Sequence, residues 1–199
     1  MRLRTTFVLA SRSPRRRRLL EQIGIAFEID PSDVDESAPD DMEPHMVAEM
    51  LASRKAEDVA PRRRDAITLG ADTIVVLGGE ILGKPSGSVE ACEMLRRLSG
   101  NTHTVYTGIA LLHPRTERSI CVSEATSVTF GRMDADEIEA YVASGSPMDK
   151  AGAYGIQDDR GALFVERIDG DFYNVVGLPL RRLYRTLRES FTDLLSPST

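Results

Sequence analysis

The stretch Phe7-Val8-Leu9-Ala10-Ser11-Arg12-Ser13-Pro14-Arg15-Arg16-Arg17-Arg18-Leu19-Leu20 decides how this chain folds. Its four apolar residues, Phe7–Ala10, read as a short buried strand. Ser13-Pro14 then supplies an N-cap followed by proline at the first helical position, and Leu19, Leu20 and Ile23 recur at helical spacing until Gly24 stops the helix. A strand running directly into a helix is a building unit of α/β folds. The junction also has an unusual charge pattern. A helix N-terminus carries about half a positive charge and four unpaired N–H groups, so cations in its first turn are unfavourable. Arg15–Arg18 nevertheless sit in or beside that turn. An anion would make sense of them, because N–H groups, dipole and guanidiniums would converge on it, with the Ser11 and Ser13 hydroxyls as further donors. A solvated arginine face that tolerates the cost is the alternative. The segment is not a P-loop, since Gly-x-x-x-x-Gly-Lys-Ser/Thr is absent.

Working outward, Ile25–Ile29 reads as a second strand and Asp30–Pro44 as a polar, acid-rich loop with three prolines. Residues 45–60 form a helix with Met46, Val47, Met50 and Leu51 on one face. Ile67–Leu77 and Glu80–Leu82 read as strands joined at Gly78-Gly79, a two-residue hairpin signal. Ser88–Leu98 is a helix, His103–Leu112 and Ile120–Phe130 are long strands, and Asp134–Ala143 is an acid-capped helix. Leu163–Ile168 and Tyr173–Val176 read as short strands and Leu180–Leu195 as a closing helix, with residues 196–199 fraying. Strands and helices mix without strict βαβ repetition. The expected fold class is therefore α/β with a mixed central sheet and flanking helices. No repeat or linker forces a cut, so residues 1–199 are expected to form a single domain.

Composition removes several functional classes. With 199 residues, 41% apolar and 28% charged, the chain has the make-up of an ordinary globular protein. Cys92 and Cys121 lack metal-ligand spacing, and three scattered histidines do not complete a zinc site. No apolar run reaches membrane-span length. Net charge is -6, but residues 1–20 hold seven arginines and no acid, which leaves the remainder at -13. So acidic a body argues against a stable nucleic-acid complex. The basic N-terminus lacks the apolar core of a signal peptide, and a cytoplasmic location is expected. An arginine-rich transit peptide or a nuclear-localisation patch is the competing reading of that end.

Arginine supplies 22 of the 25 basic residues, leaving only Lys55, Lys84 and Lys150. A lysine kept against that bias suits a place that needs a compact ammonium rather than a guanidinium fork. Lys84 lies in Gly83-Lys84-Pro85, and Lys150 opens Lys150-Ala151-Gly152-Ala153-Tyr154-Gly155-Ile156-Gln157. Three such lysines fit around a polyphosphate, or each is a surface residue. In Leu69-Gly70-Ala71-Asp72-Thr73-Ile74-Val75-Val76 an aspartate interrupts an apolar strand. Burying Asp72 is costly unless it is paired, protonated or metal-bound, which marks it as a base or ligand, or else as a structural Asp satisfied by backbone N–H groups. Strand alternation sends Asp72 and Thr73 to opposite faces. The acidic loop, with Asp33, Asp35 and Glu36, offers a second carboxylate, and oxygen ligands of this kind suit a small hard cation.

Taken in order, these pieces resemble the Maf-like family of nucleoside triphosphate pyrophosphatases. The resemblance runs from Leu9-Ala10-Ser11 through Ser13-Pro14-Arg15-Arg16, Lys55-Ala56, Gly70-Ala71-Asp72-Thr73 and Lys84-Pro85. It continues through His103-Thr104-Val105-Tyr106-Thr107-Gly108, Asp149-Lys150-Ala151-Gly152 and Asn174-Val175-Val176-Gly177-Leu178-Pro179-Leu180. It implies a mixed sheet with a cleft, similar to the inosine triphosphatase-like fold. It also implies metal-dependent hydrolysis of a nucleoside triphosphate to monophosphate and pyrophosphate, and suggests a homodimer. Arg15, Thr73 and Gln157 match the branch acting on dTTP and UTP. The 7-methyl-GTP branch typically has Trp in place of Arg15 and Ser-Asp-Gln in place of Ala71-Asp72-Thr73. An amide such as Gln157 offers the donor and the acceptor that a uracil edge requires. Arg12 departs from the family's usual Gly or Thr.

The resemblance and the residue chemistry imply a division of labour. Asp72, with a divalent metal cation (Mg²⁺ or Mn²⁺), activates water, and Glu36 helps hold metal or water. Lys55 and Lys84 neutralise phosphate charge, while Ser11, Ser13, Arg15, Arg16, Thr73, Lys150 and Gln157 bind substrate. Housecleaning of modified nucleotides uses the same site. The rival from another class is a non-catalytic nucleotide- or RNA-binding regulatory module, which would have no need of a buried Asp72.

Overall fold

A computed structural model describes residues 3–39, 41–157 and 160–196. Seven strands form one mixed sheet. They are β1 (Thr6–Leu9), β2 (Glu28–Ile29), β3 (Ala66–Leu77), β4 (Glu80–Leu82), β5 (Thr102–His113), β6 (Arg118–Phe130) and β7 (Val165–Asp169). Their order is β2-β1-β3-β5-β6-β7, with β4 pairing off the path with β3. The helices are α1 (Pro14–Gln22), α2 (Pro44–Val59), α3 (Ser88–Leu98), α4 (Ala135–Ala143), α5 (Phe172–Val176) and α6 (Leu180–Ser190). Among the described residues no helix is long and apolar enough to cross a membrane. The chain divides into two compact units whose boundaries fall inside β3, β5 and β6 and at the end of α5.

The first unit comprises Met1–Asp72, Thr107–Glu124 and Gly177–Thr199. Its centre is β1, fully buried over Phe7, Val8 and Leu9, and parallel to both β2 and β3. The expected Ile25–Ile29 strand is shorter than its apolar content suggests. Gly24 takes a left-handed conformation (φ 68°), and the Ile25 N–H reaches back 3.2 Å to the Leu20 carbonyl to close α1. Ile25 is thereby spent on helix termination, and pairing begins only at Glu28. The closing helix is likewise cut at Ser190, because Phe191 leaves helical geometry to bury its ring beneath the Arg118 guanidinium. A 3₁₀ turn over Thr192–Leu194 follows. Leu3 then bridges Leu195, and the Arg4 N–H donates to the Leu194 carbonyl at 2.8 Å. Of the tail expected to fray, residues 197–199 lie outside the described residues.

The second unit comprises Thr73–Tyr106 and Ala125–Val176. The β3–β4 hairpin pairs Val75 with Leu82 and Leu77 with Glu80. Its two turn residues, Gly78 and Gly79, both have positive φ (60° and 88°), as a primed turn requires. Asp134 and Glu137 form the capping box that starts α4. Two apolar segments correct the sequence reading. Gly161–Phe164 is a 3₁₀ turn, so β7 starts only at Val165, after the Phe164 ring has packed edge-on against Tyr141. Tyr173–Val176, expected as a strand from its β-branched pair, lies in α5. There the Asp171 carboxylate accepts from the Tyr173 N–H at 2.8 Å. The fully buried Asn174 amide donates to the Val105 carbonyl and to Thr126 Oγ1, both at 3.0 Å. Side-chain capping and an anchored Asn override the strand preference of Val175-Val176.

Candidate active site

Helix α2 crosses the sheet of the first unit at very short range, and two glycines make that possible. A Cβ built on Gly70 would lie 2.1 Å from the Ala52 carbonyl oxygen, and one on Gly108 would lie 2.2 Å from that of Ala48. Facing them is a row of fully buried alanines at i, i+4 and i+8: Ala48, Ala52 and Ala56. Strand alternation puts the Asp72 side chain on the same face as Gly70. Lys55, one residue before Ala56, therefore reaches it. The Lys55 ammonium lies 2.5 Å from Asp72 Oδ1 and 2.6 Å from Glu36 Oε1. Lys55 and Asp72 are 7% and 8% exposed as residues, whereas Glu36 comes from the exposed loop. One ammonium thus bridges a buried and an exposed carboxylate, a geometry that suits a compact point charge.

The anion-type helix turn belongs to the same unit. Ser13 caps α1 by accepting from the Arg16 N–H, and no acid occupies the first turn. Ser11 Oγ accepts from the Ser13 N–H and from Arg16 Nη1, both at 3.2 Å, while Arg16 Nε donates to the Gly177 carbonyl at 2.9 Å. Arg16 is therefore buried and held by both ends of the unit's sequence. Burial pulls its guanidinium below the ordinary arginine value and Arg15 adds to this, while the charges of Asp72 and Glu36 oppose it. Arg16 thus lies in the field of Asp72 and Glu36, the two carboxylates that Lys55 bridges. Arg17 turns away to pair with Glu21 at 2.8 Å, and Arg12 and Arg18 are exposed.

Asp35, weighed alongside Glu36 in the sequence, does a different task. Its carboxylate accepts from the Ser37 N–H at 2.9 Å and from Ser37 Oγ at 2.5 Å, and these bonds hold it below the usual carboxylate range. Sequence reasoning missed Arg54, whose Nη1 donates to the Ser37 carbonyl at 2.6 Å. It also missed the role of the Gly177 carbonyl. Neither residue type carries a signal of its own role, and only the position of Arg54 beside Lys55 hints at it.

The remaining candidates belong to the second unit. Thr73 is partly buried, and Lys84 and Gln157 are exposed. Lys150 is 8% exposed, and its ammonium donates to the Ser146 carbonyl and to Asp149 Oδ1 at 2.7 Å. It ties together the 3₁₀ turn that precedes the Gln157 segment. Gly152, at φ 66°, packs there against the Val75 side chain.

No group of three or more His, Cys, Asp or Glu side chains gathers as a ready-made metal cage among the described residues. Asp72 and Glu36 do converge on one point, the position of the Lys55 ammonium. That point is taken by the ammonium; the pair has the hard-oxygen chemistry that suits a cation of the Mg²⁺ type, which takes few protein ligands and fills its sphere with water and phosphate oxygens.

Comparison with known proteins identifies the family. The family model described as Maf-like protein matches residues 6–190. A protein of Salinibacter ruber named dTTP/UTP pyrophosphatase is 53% identical over 199 residues, covering 100% of this chain and 98% of that protein. A protein of Bacillus cereus (strain AH820) and one of Bacillus anthracis bear the same name. Each is 49% identical over 187 residues, covering 94% of this chain and 96% of the relative. The family model spans every element from β1 to α6, the full set on which the Lys55 bridge and the Arg16 turn are mounted, and the chain belongs to the Maf-like protein family.

Proposed function

We propose that this protein is a nucleoside triphosphate pyrophosphatase that hydrolyses dTTP and UTP to the monophosphate and pyrophosphate. The observation that carries the reading is the Lys55 ammonium bridging Asp72 and Glu36, in the field of a buried arginine at a serine-capped helix start. The names of the relatives supply the substrate. The match across residues 6–190 supports a single Maf-like domain.

In this reaction the water oxygen attacks the α-phosphorus while the bond from that phosphorus to the β-bridging oxygen breaks. Asp72 accepts the proton of the attacking water, and pyrophosphate leaves with the bridging oxygen. Asp72 and Glu36 would hold a divalent cation, which would supply charge neutralisation at the phosphate and lower the pKa of bound water. Lys55 keeps the Asp72 carboxylate oriented. Lys84 and the Arg15/Arg16 turn, with Ser11 and Ser13, offset the negative charge that grows on the leaving group. Chemistry of this kind rests on positioning and electrostatics, which suits a site of Asp, Glu, Lys and Arg. Thr73, Lys150 and Gln157 serve substrate selection, with the Gln157 amide matched to the donor–acceptor edge of uracil or thymine.

The test is pyrophosphate release from a panel of standard and modified nucleoside triphosphates with Mg²⁺ or Mn²⁺. Release from dTTP and UTP well above that from purine nucleotides is expected. Asp72→Asn, in which Lys55 keeps Glu36 as its counter-ion, is expected to fold with some loss of stability and to lose turnover by roughly 10²-fold or more, as removal of a general base does. Near-full turnover in that variant would overturn the role of Asp72, and no release from any nucleotide would overturn the enzymatic reading.

A further inference from the structure

The acidic loop is laid along α2 by a row of polar contacts with a regular spacing. Arg54, Asp58 and Arg62 stand at i, i+4 and i+8, so they form one line up the helix and the 3₁₀ turn that continues it. Each meets the loop in turn, and the loop runs antiparallel to the line. Arg62 grips the Asp30 carboxylate with Nε at 3.1 Å and Nη2 at 2.9 Å, and Nη2 also reaches the Pro31 carbonyl at 3.3 Å. Asp58 Oδ2 accepts from the Asp33 N–H at 3.4 Å, and it also lies 3.6 Å from Arg62. Arg54 donates to the Ser37 carbonyl at 2.6 Å. Arg63 adds a second grip on Asp30 at 2.7 Å. Glu36, the residue before the Arg54 contact, is thereby delivered to Lys55, the residue after Arg54.

We propose that Arg54, backed by the Asp58 and Arg62 rungs, is a positioning residue that sets Glu36 for catalysis; the catalytic part of this rests on the pyrophosphatase reading above. Glu36 is exposed and has three side-chain torsions of its own to order, so without the rungs it would spread over many rotamers and loop conformers. Arg54 fixes the backbone immediately beyond it, and the Asp35–Ser37 turn stiffens the same three residues. Residues of this supporting kind cost about 10–100-fold when removed.

The experiment is a double-mutant cycle on dTTP hydrolysis combined with hydrogen exchange. Arg54→Ala should lower kcat about tenfold with KM little changed, and Arg54→Lys should recover part of the loss. In a Glu36→Gln background Arg54→Ala should have no further effect, because Arg54 acts only through Glu36. Amides of residues 33–38 should exchange faster in Arg54→Ala while those of α2 stay protected. Losses that multiply in the double variant, or unchanged exchange in the loop, would overturn the proposal. If the wild-type protein released no pyrophosphate from any nucleotide, the pyrophosphatase reading and the catalytic role of Arg54 would fall together. The exchange measurement would still decide whether the rungs hold the loop.

Discussion

Lys55 shows how much chemistry a single side chain concentrates. Removing it would leave Asp72 buried without its counter-ion, and breaking a buried pair costs several kcal/mol even where forming it gained little. Its importance was partly legible, since lysine is rare in this chain and Lys55 adjoins Ala56 in a family motif. Its partner Glu36 was legible only as one of several loop acids, because the choice among Asp33, Asp35 and Glu36 is made by the rungs on α2. A second buried titratable group, His103, lies apart from the chemistry. Its Nε2 shares a 2.7 Å hydrogen bond with Tyr154 Oη, Phe130 packs edge-on against it, and burial lowers its pKa to about 4. The folded state therefore binds this proton less readily than the unfolded chain, whose histidine titrates near 6.5. Stability from neutral His103 is full above that value and falls as the pH drops from about 6.5 to 4. The loss should reach about 3 kcal/mol. Unfolding curves of the wild type and His103→Gln across this interval check it, and the variant should show a visibly flatter dependence.

At the level of elements, the decisive contact is α2 on β3 and β5. The sequence announced the helix over 45–60 almost to the residue and marked Gly70 as part of a motif. It gave no reason for that glycine, since the reason lies in the alanine row of a different element. Gly70→Ala forces a methyl group into the Ala52 carbonyl, and because both sides are backbone the helix must move. A destabilisation of about 3 kcal/mol is expected from overpacking. Activity should fall further than stability explains, because Lys55 rides on the displaced helix. Chemical denaturation alongside dTTP turnover would measure both, and a variant with unchanged midpoint and rate would refute the close-contact account. The misread elements share a cause. Tyr173–Val176 and Leu163–Ile168 have strand-like side chains, but capping by Asp171, the buried Asn174 amide and the Phe164–Tyr141 packing outweigh propensity.

For the molecule as a whole, the uneven charge of the sequence is not carried into one surface. The described arginines of residues 1–20 are not one patch. Arg16 is buried, Arg17 is paired on the surface, and Arg12 and Arg18 face solvent. On the proposed function, the protein should gain stability from binding a nucleoside triphosphate. The Asp72→Asn protein, unable to consume its ligand, should melt at a higher temperature with saturating dTTP or UTP. About 2.7 kcal/mol of stabilisation is expected at a hundredfold excess over Kd. ATP at the same concentration should shift it far less. Equal shifts from dTTP, UTP and ATP would remove the base-selection role from Gln157.

The Leu3–Leu195 bridge and the Arg4–Leu194 bond have a consequence for engineering. They make the chain nearly a ring, with its described ends held side by side at the foot of the first unit. A few linking residues across that gap would close the loop. The exposed Gly78-Gly79 turn, with no side chains to lose, is then a natural place to open it. Such a recut protein would keep α2, β3 and the acidic loop in one uninterrupted order through Leu77, so the order in which the elements are made becomes separable from the site they build.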